Sequence, residues 1–258
     1  MIKMRRLTGR TAIVTGAAAG LGAGYAKALA AEGANVCLAD RDSPAAVVDA
    51  INASNQSGRG QVIGRVCDVS DPDQIAATVQ ATIEAFGTVH VLVNNAAVFA
   101  QLTQTPLDQI TGEQWDLALS VNVRGVYECV KAVLPEMRRQ GYGKIINITS
   151  GTVFKGATGM LHYVASKGAV LAMTRSMANE LGGDGIRCNS IAPGLVMTDA
   201  IAGRTGVDHI KQTMINTRAL KRPEVPDDLI GTLLYLASAD SDFVTGQTIV
   251  VDGGSVMH

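Results

Sequence analysis

The sequence predicts an α/β fold, a single doubly wound domain of the Rossmann type with about seven parallel strands and helices on both faces. Short apolar runs alternate with longer amphipathic runs from one end of the chain to the other, as in repeated strand–helix units. The chain has 258 residues, of which 47% are hydrophobic and 28 are glycine. This length and composition suit one large domain with a sizeable core.

The strands of this sheet are predicted at short apolar runs rich in β-branched residues. Thr11–Thr15 is the first of them, and Val89–Val93 is apolar at nearly every position. Continuous apolar runs of this kind are typical of parallel strands covered on both faces. The other strands are predicted at Asn35–Ala39, Gln61–Cys67, Lys144–Thr149, Arg187–Ile191 and Thr248–Val251.

Residues that cap or preorganise a first turn mark where several helices begin. Proline stands at the predicted first helical position in Ser43-Pro44 and in Asp71-Pro72. Thr111 and Gln114 have the spacing of a capping box, which opens a long helix to about Arg139. The remaining helices are predicted to follow the first strand to about Ala31, and to span Met160–Leu181 and Pro226–Ser238.

Residues 197–225 contain no clear strand and are predicted to form an insertion over the carboxyl edge of the sheet. Ligands of doubly wound folds bind at that edge. We therefore expect Ile201–Arg218 to form a lid over the substrate. Since no low-complexity linker interrupts the chain, residues 1–258 are predicted to be one domain.

Charge and composition exclude several classes of protein. The formal net charge is −1, the pI is about 6.4, and no long basic run favours nucleic acid or an anionic membrane. Residues 1–10 are not followed by an apolar stretch long enough for a signal peptide or a membrane span. The four cysteines lack metal-ligand spacing, so we expect no metal, no disulfide and a cytoplasmic location.

A glycine-rich turn, Thr15 to Gly22, joins the first strand to the first helix. Gly16 permits a tight turn, Gly20 lets the backbone approach a pyrophosphate, and Gly22 allows the helix to pack closely on the strand. The N-terminus of the helix offers free N–H groups and a partial positive charge to phosphates. The spacing differs from the common G-x-G-x-x-G motif, so a merely tight strand–helix turn is the alternative.

Asp40 follows the second strand, about 20 residues after the glycine turn. A carboxylate there accepts hydrogen bonds from the adenosine ribose and repels a 2′-phosphate, which favours NAD over NADP. Arg41 instead favours NADP, because its guanidinium can pair with a 2′-phosphate. The alternative is that Asp40 only caps the end of the strand.

Tyr163 and Lys167 are four residues apart in a predicted helix and therefore share a face. A cation stabilises a phenolate, and bringing the pKa of a tyrosine from about 10 to near neutrality requires about 4 kcal/mol. An ordinary surface pair is the alternative. Ser150 places a hydroxyl at the carboxyl end of a strand, where it can bond a substrate oxygen. Asn122 lies inside a helix, where its amide holds a water, kinks the turn or makes a helix–helix contact.

With these residues the chain resembles the short-chain dehydrogenase/reductase family over nearly its whole length, about Leu7 to Gly254. The family's T-G-x-x-x-G-x-G loop corresponds to residues 15–22, its N-N-A-G motif to residues 94–97, and Ala97 replaces the last glycine of that motif, so we expect a slightly different backbone there. The family's active-site residues correspond to Asn122, Ser150, Tyr163 and Lys167.

This resemblance implies an NAD(H)-dependent oxidoreductase that transfers a hydride between nicotinamide and a secondary alcohol or ketone. Tyr163 would exchange a proton with the substrate oxygen, and Ser150 would orient that oxygen. Lys167 would lower the pKa of Tyr163 and hold the nicotinamide ribose, while Asn122 would anchor a water that relays protons.

The same resemblance, together with the motifs above, gives the residues expected to contact ligands. Thr198 is placed to meet the nicotinamide carboxamide. The cofactor is expected to contact Gly16, Gly20, Leu21, Gly22, Asp40, Arg41, Asp68, Val69, Asn95, Ala96, Tyr163, Lys167, Pro193, Gly194, Val196 and Thr198. The substrate is expected to contact Ser150, Thr152, Phe154, Tyr163 and Leu195.

The candidate pocket residues are mostly apolar and include no arginine that would hold a phosphate or carboxylate. We therefore predict an uncharged, moderately hydrophobic alcohol or ketone as substrate. Two rival functions remain open: an NADPH-dependent 3-oxoacyl-thioester reductase, and a non-catalytic dinucleotide-binding regulator. The resemblance also implies a homotetramer built on helices Gln114–Arg139 and Met160–Leu181, although an intramolecular apolar face would give the same pattern.

Overall fold

The computed structural model of the protein describes residues 5–54, 58–99, 101–198, 201 and 207–257. Its strands are β1 Thr11–Thr15, β2 Asn35–Asp40, β3 Val62–Val66, β4 Val91–Asn94, β5 Gly143–Ile148, β6 Ile186–Pro193 and β7 Thr248–Val251. They form one sheet in the order β3-β2-β1-β4-β5-β6-β7, and every neighbouring pair is parallel. The strand order reverses between β1 and β4, so their carboxyl ends open the crevice in which such folds bind ligands.

Helices cover both faces of the sheet, which confirms the predicted α/β fold. They are α1 Gly20–Ala31, α2 Ala45–Ala53, α3 Pro72–Phe86, α4 Gly112–Leu119, α5 Gly125–Gln140, α6 Thr152–Lys155, α7 Leu161–Leu181, α8 Val207–Thr217 and α9 Asp227–Ala237. One apolar core lies under α1 and α9, and a second lies under α3, α5 and α7.

The predicted helix starts agree with the structure to within one residue, and the helices predicted from Pro44, Met160 and Pro226 each begin one residue later. Asp71 caps α3 by accepting hydrogen bonds from the N–H groups of Asp73 and Gln74, and the Thr111–Gln114 capping box is formed in both directions. Pro44 is not the first residue of α2. Its backbone, with φ −83° and ψ 9°, lies outside the helical range, so Pro44 occupies the N-cap and α2 begins at Ala45.

The long helix predicted from Thr111 is interrupted. A π-helical turn, Ser120–Arg124, separates α4 from α5. Such turns insert one extra residue into a helix and are frequent at functional sites. The interruption explains how Asn122 is accommodated in what the sequence presents as a helix interior.

The cysteines behave as small apolar residues. All four are free and buried in the core under α3, α5 and α7, and burial raises the pKa of the Cys188 thiol to about 12. Over the described ranges, no three metal-ligating side chains come together. Among the helices of those same ranges, none is long and apolar enough to cross a bilayer.

The predicted insertion at residues 197–225 contains helix α8, and its Glu224 forms an isolated bridge with Val196, the residue just before the insertion. Residues 199–200 and 202–206 lie outside the described part of the chain, and the lid expected at Ile201–Arg218 falls partly on them. The lid therefore stays a prediction.

Candidate active site

Gly16, Gly20 and Gly22 of the turn are required for two different reasons, backbone conformation and close packing. Gly16 and Gly20 have φ values of +65° and +55°, in the left-handed region that favours glycine. A Cβ on Gly16 would lie 2.8 Å from the Cα of Ala96, and one on Gly22 would overlap the carbonyl oxygen of Gly16. The three glycines thus allow α1, β1 and the end of β4 to meet.

The N-terminus of α1 is available to an anion. Its N-cap residue is Ala19, which has no capping side chain, so the N–H groups of the first turn, including that of Leu21, have no side-chain acceptor within the described part of the chain. Such groups together with the helix dipole suit a phosphate. The turn therefore fits the pyrophosphate of a dinucleotide.

Thr15 and Asn95 tie the glycine turn to the exit of β4. The hydroxyl of Thr15 accepts hydrogen bonds from the N–H groups of Asn95 and Ala96, each at 3.0 Å. The side-chain amide of Asn95 donates to the carbonyl oxygens of Thr15 and Gly16, at 2.9 and 3.0 Å. Asn95 thus holds the backbone of the glycine turn in place through two hydrogen bonds. No non-glycine residue among those described has a positive φ, so Ala97 fits its loop without strain.

Asp40 lies against the same turn. Its Oδ2 accepts a hydrogen bond from the N–H of Ala18 at 2.9 Å, and its Oδ1 accepts one from Asp42 at 3.0 Å. The carboxylate therefore does more than cap its strand, because it also holds the phosphate loop. The Arg41 guanidinium is exposed and lies 3.9 Å from the Asp42 carboxylate.

Asp68 and Val69 follow β3 at the same edge of the sheet. The Asp68 carboxylate accepts hydrogen bonds from the N–H and the hydroxyl of Ser70, at 2.8 and 2.7 Å. Val69 is buried against α5, and a Cβ on Gly125 would lie 2.9 Å from its side chain. These contacts fix the wall where the adenine of a dinucleotide is expected.

Ser150, Tyr163 and Lys167 come together at the end of β5. The Ser150 hydroxyl lies close enough to the phenol of Tyr163 to lower its pKa, and it accepts a hydrogen bond from the Thr152 hydroxyl at 3.0 Å. Lys167 Nζ donates to the carbonyl oxygen of Ile148 at 2.7 Å. All three side chains are buried, and α7 is thereby fixed on β5.

The pKa values of the tyrosine and the lysine shift in opposite directions. Burial raises the pKa of Tyr163 to about 12, although the hydrogen bond from Ser150 acts against it. Burial lowers the pKa of Lys167 to about 8. The expected depression of the Tyr163 pKa is therefore not found among the protein's own groups, because the cost of burying a phenolate outweighs the stabilisation they supply.

Asn122 makes the helix contact that the sequence left as one of its alternatives. Its Oδ1 accepts a hydrogen bond from the N–H of Val98 at 2.8 Å. Its Nδ2 donates to the Val98 carbonyl oxygen at 3.2 Å and to the Ser166 hydroxyl at 3.0 Å. The side chain thus ties the exit of β4 to α7, close in sequence to Tyr163 and Lys167. The water-anchoring role that the resemblance implies stays a prediction.

The surroundings of Tyr163 are apolar. The ring of Phe99 packs against that of Tyr163, with centroids 4.9 Å apart and planes at 50°. The buried apolar cluster around the phenol also contains Val98, Leu102, Ala118 and Met160. Thr152 and Phe154 lie on the short helix α6 beside Ser150.

The segment after β6 is held next to the end of β5 and near the glycine turn. Pro193 accepts a hydrogen bond from the N–H of Gly151 at 2.8 Å, which joins the ends of β5 and β6. A Cβ on Gly20 would lie 3.8 Å from Cγ2 of Thr198, so Thr198 lies near the glycine turn. Val196 is held by its bridge to Glu224.

Comparisons relate the chain to known proteins along nearly its whole length. A family model described as enoyl-(acyl carrier protein) reductase matches residues 16–256. The short-chain reductase protein NovJ of Streptomyces niveus is 39% identical over 251 residues, 94% of this chain and 92% of that protein. The 3-oxoacyl-[acyl-carrier-protein] reductase FabG of Staphylococcus aureus is 35% identical over 254 residues, 96% and 98% of the two chains.

The chain belongs to the short-chain dehydrogenase/reductase family. The solved structure of levodione reductase superimposes with a TM-score of 0.88 at 32% identity, covering 98% of this chain and 100% of that one. The protein is therefore an oxidoreductase that acts on CH–OH or keto groups of small molecules and binds a nicotinamide dinucleotide.

Two features of the site of this short-chain dehydrogenase/reductase were not singled out from the sequence. Thr15 belongs to the recognised glycine motif, but nothing in the sequence indicates that its hydroxyl joins the carboxyl ends of β1 and β4. Arg218 and Glu224 pair behind Gly194, and nothing in their spacing indicates this contact. Their only sequence signal is that two charged residues flank an otherwise irregular segment.

Two glycines of α1 give a matched test of the phosphate turn. Gly22→Ala is expected to weaken NADH binding at least about tenfold and to lower the melting temperature, because the new Cβ overlaps the Gly16 carbonyl oxygen. Gly24→Ala meets no atom within 4 Å and is expected to keep binding and to gain up to about 1 kcal/mol of helix stability. Fluorescence titration with NADH and thermal denaturation measure both effects, and equal affinities in the two variants would contradict the assignment.

Proposed function

We propose that the protein is an NAD(H)-dependent oxidoreductase that interconverts a secondary alcohol and the corresponding ketone, with Tyr163 as the acid and base. The observation that carries this proposal is the proximity of the Ser150 hydroxyl to the Tyr163 phenol, which is close enough for Ser150 to lower the pKa of the phenol. This pair of groups lies at the end of β5, at the same sheet edge as the glycine turn after β1.

The chain's own residues handle the proton. When bound, the nicotinamide supplies or accepts the hydride, which is the cofactor's chemistry. Tyr163 has a raised pKa, so its phenol is protonated at neutral pH and is ready to give its proton to a substrate oxygen that becomes an alkoxide. Ser150 donates a hydrogen bond to that oxygen and orients it.

Lys167 supports the reverse direction. Alcohol oxidation requires Tyr163 as a phenolate, which needs a nearby cation. With a pKa of about 8, Lys167 is mostly charged at neutral pH and is the buried cation one helical turn from the phenol. We further propose that Lys167 holds the nicotinamide ribose and that Asn122 positions α7 and anchors a relay water.

Asp40 supports NAD as the cofactor. Its carboxylate lies against the phosphate turn through the N–H of Ala18, and each of its oxygens keeps acceptor capacity for ribose hydroxyls. A 2′-phosphate at the same place would meet a like charge. The residues proposed to hold the dinucleotide are Gly16, Gly20, Leu21, Gly22, Asp40, Arg41, Asp68, Val69, Asn95, Ala96, Tyr163, Lys167, Pro193, Gly194, Val196 and Thr198.

The apolar surroundings of Tyr163 support an uncharged, moderately hydrophobic substrate. The ring of Phe99 covers one side of the tyrosine ring, and Ser150, Thr152, Phe154 and Leu195 are proposed to line the rest. An aromatic or aliphatic substituent of the ketone gains by burial against such side chains. A carboxylate or phosphate would instead be desolvated there without a partner.

A 3-oxoacyl-thioester reductase is the second candidate. It is favoured by the 35% identity to the reductase FabG of Staphylococcus aureus, whose name states that activity. Asp40 opposes the NADPH dependence expected of that candidate. A non-catalytic regulator is disfavoured by the intact pairing of Ser150 with Tyr163.

A substrate panel with both cofactors tests the proposal. Absorbance of the reduced nicotinamide is followed with uncharged ketones and alcohols, with charged analogues and with acetoacetyl thioesters. We expect turnover of uncharged compounds with NAD(H). Turnover confined to thioesters with NADPH would favour the second candidate, and NADH binding without turnover of any compound would favour the regulator.

Tyr163→Phe is the control for the chemistry. It removes the hydroxyl that moves the proton and leaves the ring packed on Phe99, so we expect NADH binding to be retained while turnover falls by at least about a thousandfold. Retained activity would show that another group carries the proton.

Asp40→Ala tests the choice of cofactor. Removal of the carboxylate is expected to lower the NADH-over-NADPH ratio of kcat/KM by at least about tenfold, because the repulsion of a 2′-phosphate disappears. Steady-state kinetics with both cofactors measures the ratio, and Asp42→Ala serves as the exposed neighbour. An unchanged ratio in Asp40→Ala would remove the reason for proposing NAD.

We also propose a homotetramer. Leu117, Tyr127 and Leu161 are 44%, 48% and 43% exposed on α4, α5 and α7, the helices that the family resemblance places between subunits. Burying such apolar side chains favours association. We expect sedimentation velocity at micromolar concentration to give a tetramer, and a monomer there would refute the assembly.

A further inference from the structure

A buried ion pair lies behind Gly194, outside the residues assigned so far. Arg218 follows α8 and Glu224 lies in the segment that leads to α9, and the two residues are only 3% and 4% exposed. Arg218 Nη2 donates to Glu224 Oε2 at 2.8 Å. Removing two charges from water is costly, and apolar residues of similar size often replace such a pair without loss of stability. Stability alone therefore does not account for the pair.

Both residues of the pair bind the backbone of the segment that follows β6. The same Nη2 of Arg218 donates to the carbonyl oxygen of Leu195 at 3.0 Å. The backbone of Glu224 pairs with Val196 and accepts a hydrogen bond from the N–H of Met197 at 2.8 Å. The position of these three backbone groups is thus set by one buried salt bridge.

Gly194 is packed directly on the charged groups. A Cβ there would lie 2.5 Å from Oε2 of Glu224 and 3.1 Å from Nη2 of Arg218. It would also lie 2.9 Å from the Cβ of Asp252. Because Gly194 has no side chain that could adjust, a displacement of the ion pair is expected to move the Gly194 backbone. The chain from Gly194 to Thr198 is expected to move with it.

We propose that Arg218 and Glu224 are positioning residues that hold the segment 194–198 in place for the nicotinamide end of the dinucleotide. They act through Leu195, Val196 and Met197 and are not proposed to touch the cofactor. The inference rests on the proposed function, because it takes Thr198 to be the contact of the nicotinamide carboxamide.

The protonation of Glu224 gives the proposal a pH dependence. Burial raises the pKa of Glu224 to about 7, against the attraction of Arg218. Because this pKa lies above its ordinary value, the carboxylate that pairs with Arg218 is lost as the pH falls through about 7. The charged or titratable groups that face Glu224 are Tyr25 from α1, Arg218, Arg222, Asp228 from α9 and Asp252 after β7.

A double variant separates positioning from stability. Arg218→Met leaves Glu224 buried without its partner, so its melting temperature is expected to fall. The double variant Arg218→Met/Glu224→Met carries neither charge and keeps similar volume, so its melting temperature is expected to recover. Its Kd for NADH, measured by fluorescence titration, is expected to stay about tenfold above that of the wild type, and KM is expected to rise more than kcat falls. Wild-type affinity in the folded double variant would overturn the proposal.

Glu224→Gln provides a second, nearly isosteric test that does not depend on the double variant folding. The Kd of the wild type for NADH is expected to rise as the pH falls from about 8 to about 6, the range around the raised pKa. The amide of the variant does not titrate. The variant is therefore expected to lose the part of the pH dependence of Kd that comes from Glu224. Identical slopes in the two proteins would overturn the proposal.

Arg222→Met is the matched control. Arg222 forms an exposed pair with Asp228 in the same segment, at 2.6 Å, and its loss is expected to leave the Kd for NADH unchanged. An equal loss of affinity there would overturn the assignment to the buried pair. Failure of the wild type to bind NADH would instead refute the proposed function, so the two failures are distinguishable.

Discussion

The parallel register of β1, β4, β5 and β6 is the constraint on which the whole site depends. Parallel strands bring their carboxyl ends to one edge, and side chains that follow them meet there whatever their separation in sequence. Hydrogen bonds across that edge then fix the distances. Asn95 bonds the glycine turn, Gly151 bonds Pro193, and Lys167 bonds Ile148. Each joins the exits of two strands, or an exit to α7, so that the reacting groups sit on backbone held from both sides.

Burial gives this site its chemical character. The same desolvation raises the pKa of Tyr163 and lowers that of Lys167, because water no longer stabilises either charged form. The raised pKa of Tyr163 favours a neutral phenol, the form that the proposed ketone reduction requires. Oxidation of an alcohol requires the opposite charge state, and the attraction between a buried phenolate and a buried ammonium grows as water is excluded. A dry site thus makes the protonation state of the phenol sensitive to the charge placed beside it.

Much of the fold and of the site could be predicted because their signals are local. Glycines at fixed spacing, a carboxylate after the second strand, and a tyrosine one helical turn from a lysine are all visible in short stretches of sequence. The sequence also contains a signal for the π-helical turn, since Asn122 is an unfavourable residue for a helix interior. The contacts of Thr15 and the pair of Arg218 with Glu224 could not be predicted. Their partners are selected by tertiary packing, and no periodicity relates Arg218 to Leu195 or Glu224 to Gly194.

Relatives that share this fold bear different names, including a 3-oxoacyl-[acyl-carrier-protein] reductase and levodione reductase. Overall similarity therefore fixes the class of reaction but not the substrate, because function resides in sites carried by a common fold. The discriminating groups are Asp40 at the end of β2 and Phe99 after β4, in the same parallel sheet. Asp40 presents a carboxylate against the glycine turn, and Phe99 presents an aromatic face beside the Tyr163 ring. Both features belong to this chain's own side chains, so they weigh more in the choice between cofactors and between substrates than the names of proteins about one-third identical.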